Sequence, residues 1–404
     1  MTGKRSLVIG LGVAIFAAFL GWRLFRPMDI FVVTKNFERP IDTGKFATPP
    51  EALRAGACGA CHQEIYAEWK TSIHSQAWTD PYFRVDWKFD ASQQICKNCH
   101  IPLDRQQEHK VLGFRDSEKL EPILADNPDF DPELQHEGVT CAACHFKDGK
   151  ILGVNGDLDA PHPVEKLADP NEICLRCHIV QGARWDTFYR YPPCGTAAEI
   201  EAGAGRWQGR SGELTVRNAS ELGCVQCHMP AIERALVAGG RVRQARRHLW
   251  RGGHDPAMVR QGLDIRLVET GADAADRRAF ALTLTNVGAA HYLPTGTPDR
   301  YLSVRLRVLD RDGHALEEER HSVKRTTMWR PFIVDLWDTR LPRGQARTYR
   351  IEFPIASTPA PAAVEAVVRY HLLDETRRAR IGYVNAEPIA YEVFRSRIAL
   401  ARER

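Results

Sequence analysis

Cys141-Ala-Ala-Cys-His145 places two cysteines three positions apart with a histidine directly after the second. The same spelling recurs at Cys58–His62, Cys96–His100, Cys174–His178 and Cys224–His228, so the chain holds five such units. Cys-x-x-Cys-His is the attachment motif of c-type haem. Both thiols must reach one porphyrin edge while the imidazole sits under the iron. Zinc would pair two Cys-x-x-Cys units, or join one unit to a distant histidine pair. An odd number of units, each closed by histidine, does not fit that pattern. Disulfides would leave the fixed histidines unexplained. Ten of the eleven cysteines belong to the units, and Cys194 stands outside them. The reading is five covalently bound haem c groups on Cys58, Cys61, Cys96, Cys99, Cys141, Cys144, Cys174, Cys177, Cys224 and Cys227. His62, His100, His145, His178 and His228 are then the proximal iron ligands.

The 404 residues are 44% hydrophobic and 26% charged, the composition of a folded chain with room for two or three domains. The formal charge is +4. Each ferric haem with ionised propionates adds about −1, which brings the loaded molecule near −1 and leaves no nucleic-acid footprint. Near the N-terminus an apolar run from Leu7 to Trp22 follows Lys4 and Arg5. With Arg23 snorkelling, about 19 residues at ~1.5 Å each reach roughly 28 Å, enough to span a bilayer. Phe19, Leu20 and Trp22 stand where a signal-peptide cleavage site needs small residues, which favours an uncleaved anchor. Haem attachment takes place on the outer face of the bacterial inner membrane. It predicts a single pass with a cytoplasmic N-terminus and a periplasmic bulk.

Four segments follow: an anchor at 1–26, a proline-punctuated tether at 27–55, a pentahaem cytochrome domain at 56–258 and a β domain at 259–404. Five haems in about 200 residues leave too little chain for a conventional core around each cofactor, so the haems must serve as the core. The expected fold class is a mainly α cytochrome domain with irregular loops, a C-terminal all-β sandwich and one N-terminal transmembrane helix. The β prediction rests on alternation at Leu263–Val268, Ala279–Thr285, Leu302–Val308, Arg347–Phe353, Val364–Leu372 and Ala390–Arg395.

A histidine-ligated iron has one more axial position, and what fills it separates a carrier from a catalyst. His74, His136, His162, His248 and His254 are the expected distal ligands. His74 lies in a helical-looking stretch after the first motif, and His136 shortly precedes the third. Two prolines hold His162, and glycines beside His254 allow close approach to a porphyrin. His109, in a polar run, reads as solvated; His291, shortly before Pro294, reads as a turn residue. Met229 reads as packing and Cys194 as a structural thiol.

Trp69–Ala77, Glu137–His145, Cys224–Pro230 and His248–His254 together resemble the multihaem cytochromes of the cytochrome c-554 and hydroxylamine oxidoreductase superfamily. The resemblance covers roughly residues 56–258 and implies distal roles for His74, His136, His248 and His254. Asn286–Gly296 resembles a module fused to other multihaem cytochromes. Three departures matter. The related nitrite reductases replace one motif histidine with lysine, whereas all five motifs here end in His. Hydroxylamine oxidoreductases carry more haems. In membrane-anchored quinol dehydrogenases the first motif follows closely on the anchor, whereas more than 30 residues separate Phe25 from Cys58.

The expected function is that of a membrane-anchored periplasmic pentahaem cytochrome, an electron-transfer protein rather than a catalyst. It passes single electrons through stacked bis-histidine haems between redox partner proteins, with a membrane complex or quinol-oxidising subunit among the candidate partners. Two alternatives stay open. One is an oxidoreductase with a five-coordinate haem acting on a small nitrogen or sulfur oxide. The other is an electron-wiring subunit of a larger membrane complex.

Overall fold

A computed structural model describes residues 2–25, 38–44, 50–117, 119–155, 160–178, 187–188, 194–203 and 223–400. The N-terminal helix Thr2–Phe25 is long and apolar enough to cross a membrane, and its apolar side chains are exposed. Its C-terminal end packs on residues 330–332. Arg23 Nε donates to the Pro331 carbonyl at 3.1 Å, and its guanidinium lies 5.4 Å from the Phe332 ring centre. Of the proline-punctuated segment 27–55, residues 38–44 lie against the motif region. Ile41 bridges Leu103, and the buried Thr43 hydroxyl donates to Asp104 at 2.6 Å.

Short helices carry four motifs whole, Gln94–His100, Cys141–His145, Glu172–His178 and Cys224–His228, while the first motif begins in Ala55–Gly59 and places Cys61 and His62 beyond its end. The segments between them pair as strands. β1 (His109–Phe114) and β2 (Pro122–Asp126) form a hairpin, and β3 (Phe146–Lys147), β4 (Lys150–Gly153) and β5 (Val164–Lys166) form a small sheet. β6 (Thr187–Phe188) joins a distant sheet, and β7 (Ala231–Ala235) pairs with β8 (Val242–Arg246). The expected fold class is therefore corrected. The described chain is about 29% helix and 33% strand in five sheets, not mainly α. The physical reason is economy of helix: a five-residue turn suffices to present Cys-x-x-Cys-His, and the intervening backbone satisfies its hydrogen bonds by pairing.

The C-terminal region adds β9 (Leu263–Thr270), β10 (Arg277–Asn286), β11 (Tyr301–Leu309), β12 (Ala315–Met328), β13 (Ile333–Asp338), β14 (Ala346–Pro354), β15 (Ala363–His371) and β16 (Ala390–Ala399). Together with β6 they form a three-stranded sheet, β14-β10-β9, and a six-stranded sheet, β16-β15-β11-β12-β13-β6. Phe280, Leu282 and Leu284 alternate inward from β10, as Leu302, Val304, Leu306 and Val308 do from β11 and Val364, Ala366 and Val368 from β15. Their shared core includes a stacked Phe280–Phe353 pair with ring centres 6.1 Å apart. In the motif region the largest buried apolar group is far smaller: Leu53, Leu103, Leu134, Ala142 and Phe146.

A buried ion pair ties the two regions together. Glu199, on the helix Thr196–Gly203, is 2% exposed and accepts from Arg340 Nη1 at 2.5 Å. It also accepts from Tyr292 N at 3.1 Å and Thr295 Oγ1 at 2.7 Å, which fixes the loop 291–295. Removing one member of a buried pair leaves an uncompensated charge. Arg340→Met is expected to cost about 3–5 kcal/mol, read as a lowered denaturant midpoint at unchanged slope. A loss under about 1 kcal/mol, the worth of a surface pair, would contradict this placement.

Candidate functional site

The motif helices converge on one cavity of about 3000 Å³, lined by His62, His100, His145, His178 and His228 together. Drug-sized ligands fill roughly 300–1,000 Å³, so this space accommodates several large flat groups. Side chains from one motif brace the next. Glu137, just before the third motif, accepts from Ala55 N at 2.8 Å, at the start of the first motif's helix. Asn171, just before the fourth, accepts from Val225 N at 3.1 Å in the fifth. Thiols of neighbouring motifs meet in the same pattern: Cys58 with Cys141, Cys99 with Cys177, and Cys174 with Cys224. Cys144 lies near both Cys174 and Cys177. The motifs are thus ordered first–third–fourth, with the second and fifth both against the fourth.

Four motif histidines each face a second imidazole across the cavity. Ring centres are 6.5 Å apart for His62 and His162, and 6.0 Å for His145 and His248. They are 6.4 Å apart for His178 and His74, and 6.3 Å for His228 and His291. With metal–imidazole bonds of about 2.0 Å, two trans imidazoles place their ring centres about 6 Å apart. The chemistry of the rings agrees with this spacing. Nδ1 donates to a backbone carbonyl in His62 (Leu236, 2.9 Å), His145 (Leu152, 2.7 Å) and His228 (Arg251, 2.6 Å). It does so too in His100 (Ala77, 2.6 Å), His248 (Arg246, 3.0 Å) and His291 (Tyr292, 2.8 Å). That donation sets the tautomer and leaves Nε2 as the lone-pair donor. Burial holds His74 down to about 3, and His100, His248 and His291 down to about 4, so these rings are neutral. The residues therefore fit haem iron held by paired imidazoles.

His74 sits in a turn, not in the helix the sequence suggests; that helix, Gln63–Lys70, ends earlier. The turn is clamped by the segment carrying His136. Val139 N donates to the His74 carbonyl at 2.9 Å, and Trp69 Nε1 donates to the Val139 carbonyl at 2.9 Å. His136 itself is exposed, with Nδ1 donating to the Pro132 carbonyl at 2.6 Å, and it does not line the cavity. His248 is held by Glu68, which accepts from its backbone N at 2.8 Å while pairing with Arg234 at 2.9 Å. Trp250 stands between the pairs, 5.0 Å from His74 and 5.3 Å from His248. His254 lines the cavity, but its Nε2 accepts from Arg300 Nη2 at 3.4 Å. His109 lies 3.7 Å from Asp126 on the β1–β2 hairpin. For His291 the sequence favours a turn residue over a ligand reaching back to a haem; the structure sets it opposite His228. Asn286, which is fully buried, fixes the loop: it donates to the His291 carbonyl at 2.9 Å and accepts from Ala289 N at 3.0 Å.

The fold matches that of a penta-haem cytochrome c552 from Thermochromatium tepidum, known from its crystal structure. The two share 20% identity over 87% of this chain and 100% of that one, with a TM-score of 0.61. A glycosyl hydrolase family 2 member from Bacteroides cellulosilyticus (12% identity over 35% of this chain and 13% of that one) reaches a TM-score of 0.17. A structural-genomics target (11% identity over 35% of this chain and 91% of that one) also reaches 0.17, and neither carries weight. No family model matches the chain, and no curated protein matches it.

Gly138 shows how tightly the His74 turn is held. It sits at φ +63°, and a Cβ there would lie 2.7 Å from the His74 carbonyl oxygen. Gly138→Ala is expected to destabilise the fold by about 1–2 kcal/mol and to displace His74. Thermal unfolding and the visible spectrum of the purified protein check both; a variant unchanged in both would refute the clamp.

Proposed function

We propose that this chain is a membrane-anchored periplasmic cytochrome that carries five covalently bound haem c groups and passes single electrons between redox partner proteins. Kinship with the cytochrome c-554 and hydroxylamine oxidoreductase superfamily is part of this reading. The observation that carries it is the set of four imidazole pairs spaced 6.0–6.5 Å apart, each built on the histidine of a Cys-x-x-Cys-His motif. In this assignment His162 completes the site of His62, His248 that of His145, His74 that of His178 and His291 that of His228. The fold of the Thermochromatium tepidum protein supports the reading, and the apolar N-terminal helix supports the anchor.

Bound haem iron supplies a one-electron ferric–ferrous couple. The chain's own contribution is geometric and electrostatic. Paired imidazoles, five of the eight locked by a backbone carbonyl, would hold an iron in the same coordination in both oxidation states, so little structure would rearrange with each electron. Carbonyl acceptors at Nδ1 raise ligand basicity and favour the ferric state. Contact between the thiols of adjacent motifs brings the sites close together. The first and second or fifth motifs, at opposite ends of the contact order, are the natural points of entry and exit.

The intact protein is expected to carry the mass of five haems, lost to none by acid–acetone extraction. His291→Ala should convert one low-spin ferric centre to high spin, whereas His136→Ala should leave the electron paramagnetic resonance spectrum unchanged. A lower haem count would refute the motif reading, and an effect of His136→Ala in place of His291→Ala would refute the pairing.

A further inference from the structure

The N-terminal helix touches the C-terminal β region before it reaches its own end. The ring of Phe19 lies 6.2 Å, centre to centre, from that of Phe332, just ahead of β13. The helix closes only at Phe25. At ~1.5 Å rise per residue, the contact therefore begins roughly 9 Å short of the helix end. It continues outward from there. Arg23, which is buried, donates from Nε to the Pro331 carbonyl, and Arg330 Nη1 donates to the Leu24 carbonyl at 2.5 Å. The second bond fills one of the carbonyls that a helix end leaves without an intrahelical partner. Residues 330–332 thus grip the helix from the side, along its last two turns.

The strand that follows exposes apolar side chains and turns its charges inward. Asp335 of β13 pairs with Thr327 of β12, and Trp337 with Thr326, so the register passes over Leu336. Successive side chains of a regular strand face opposite sides; a bulge re-aims them. Here two neighbours both reach solvent, Leu336 at 47% exposure and Trp337 at 58%. Phe188, set beside Val334 by the β13–β6 pairing, is 58% exposed, and Trp22 on the helix is 54% exposed. The acidic groups of β13 are compensated instead of solvated. Asp335 pairs with Arg325 at 2.8 Å and accepts from Thr327 Oγ1 at 3.0 Å, and Asp338 pairs with Arg340 at 2.8 Å. Contiguous exposed apolar side chains of this kind mark a surface that meets something other than water. Tryptophans beside arginines at the end of an apolar span are the composition of a membrane–water interface.

We propose that the segment 330–337, with Phe188 beside it, dips into the outer leaflet next to the N-terminal helix and gives the C-terminal β region its own contact with phospholipid. This rests on the reading of the helix as an uncleaved anchor and extends it. Depth carries the argument. The apolar run ends at Trp22, so Phe19 of a spanning helix lies within the hydrocarbon. Phe332 packs on Phe19 and reaches the same level. Leu336 and Trp337 follow it by a few residues on a strand whose carboxylates are already paired, so little charge has to be stripped of water on the way in. Arg330, which is exposed, stands where a long cationic side chain meets lipid phosphate. One helix leaves the attached domain free to tilt. A second contact fixes the height and the tilt of the motif cavity above the bilayer.

The test uses the full-length holoprotein in nanodiscs of phosphatidylcholine, a fraction of which carries a diazirine high on one acyl chain. After illumination, lipid adducts are mapped by peptide mass spectrometry. Adducts are expected on the helix and on 330–337, and not on Leu112, Val242 or Val384, which are at least as exposed but lie on other elements. Leu336→Asp combined with Trp337→Asp should cut the labelling of 330–337 roughly tenfold. The helix should stay labelled and the visible spectrum unchanged, which separates lost lipid contact from misfolding. Adducts on the helix with none on 330–337 would overturn this inference alone. So would labelling of 330–337 no stronger than at Leu112, Val242 and Val384, or labelling that the double variant leaves unchanged. Two copies per disc with an unlabelled patch would give the surface to a second copy of the chain and overturn it as well. A helix without adducts would overturn the anchor on which it rests.

Discussion

Imidazoles facing one another across a cavity, with Nδ1 of His62, His145, His228, His248 and His291 committed to backbone carbonyls, are the constraint around which this molecule is arranged. A buried imidazole with its second nitrogen unsatisfied is costly, and four pairs of them at one spacing would be a heavy liability in an empty fold. An iron between each pair, as proposed, would remove that cost. The rest of the motif region reads as machinery for holding rings. Glu68 grips His248, Val139 grips the His74 turn, and Asn286 ties the His291 loop. Little apolar core would be needed where several porphyrins filled the space, and in the motif region the largest buried apolar group is small.

The C-terminal sheets are part of the site. His291 comes from the loop after β10, and Arg300 immediately precedes β11. The Glu199–Arg340 pair fixes the loop that presents His291, so a polar contact far from any motif governs where one ring stands. Arg377, between β15 and β16, is anchored to Asp86 and Asp90 in the segment leading into the second motif. A β region with no haem motif of its own therefore closes one side of the cavity.

The motifs stand out in the sequence because covalent haem attachment demands a local pattern, and local patterns survive in sequence. Distal partners are a different matter, since they are set by tertiary approach. His74, His162 and His248 stand opposite motif histidines. His136 faces solvent because its neighbours Gly138 and Val139, not its own ring, meet the cavity wall. His254 was read as a ligand with the glycines beside it allowing close approach; Gly253 makes room for Arg300 and Tyr370, whereas Gly252 meets nothing within 4 Å. His291 was read as a turn residue from the nearby proline, and it is both a loop residue and a partner of His228. The strands β9, β10, β11, β14 and β16 contain the alternating stretches that announce them, and β15 contains all of its stretch but Leu372, whereas the hairpins between motifs are too short for periodicity to register. That is why the region seemed more helical than it is.

The most direct measurement is an iron anomalous-difference map from crystals of the holoprotein. The account predicts five iron peaks. Four should lie midway between the paired imidazoles, about 2.0 Å from Nε2 of His62 and His162, His145 and His248, His178 and His74, and His228 and His291. The fifth should lie over His100. Peaks missing from between these pairs, or a histidine other than these on the far side of any of those four irons, would contradict it.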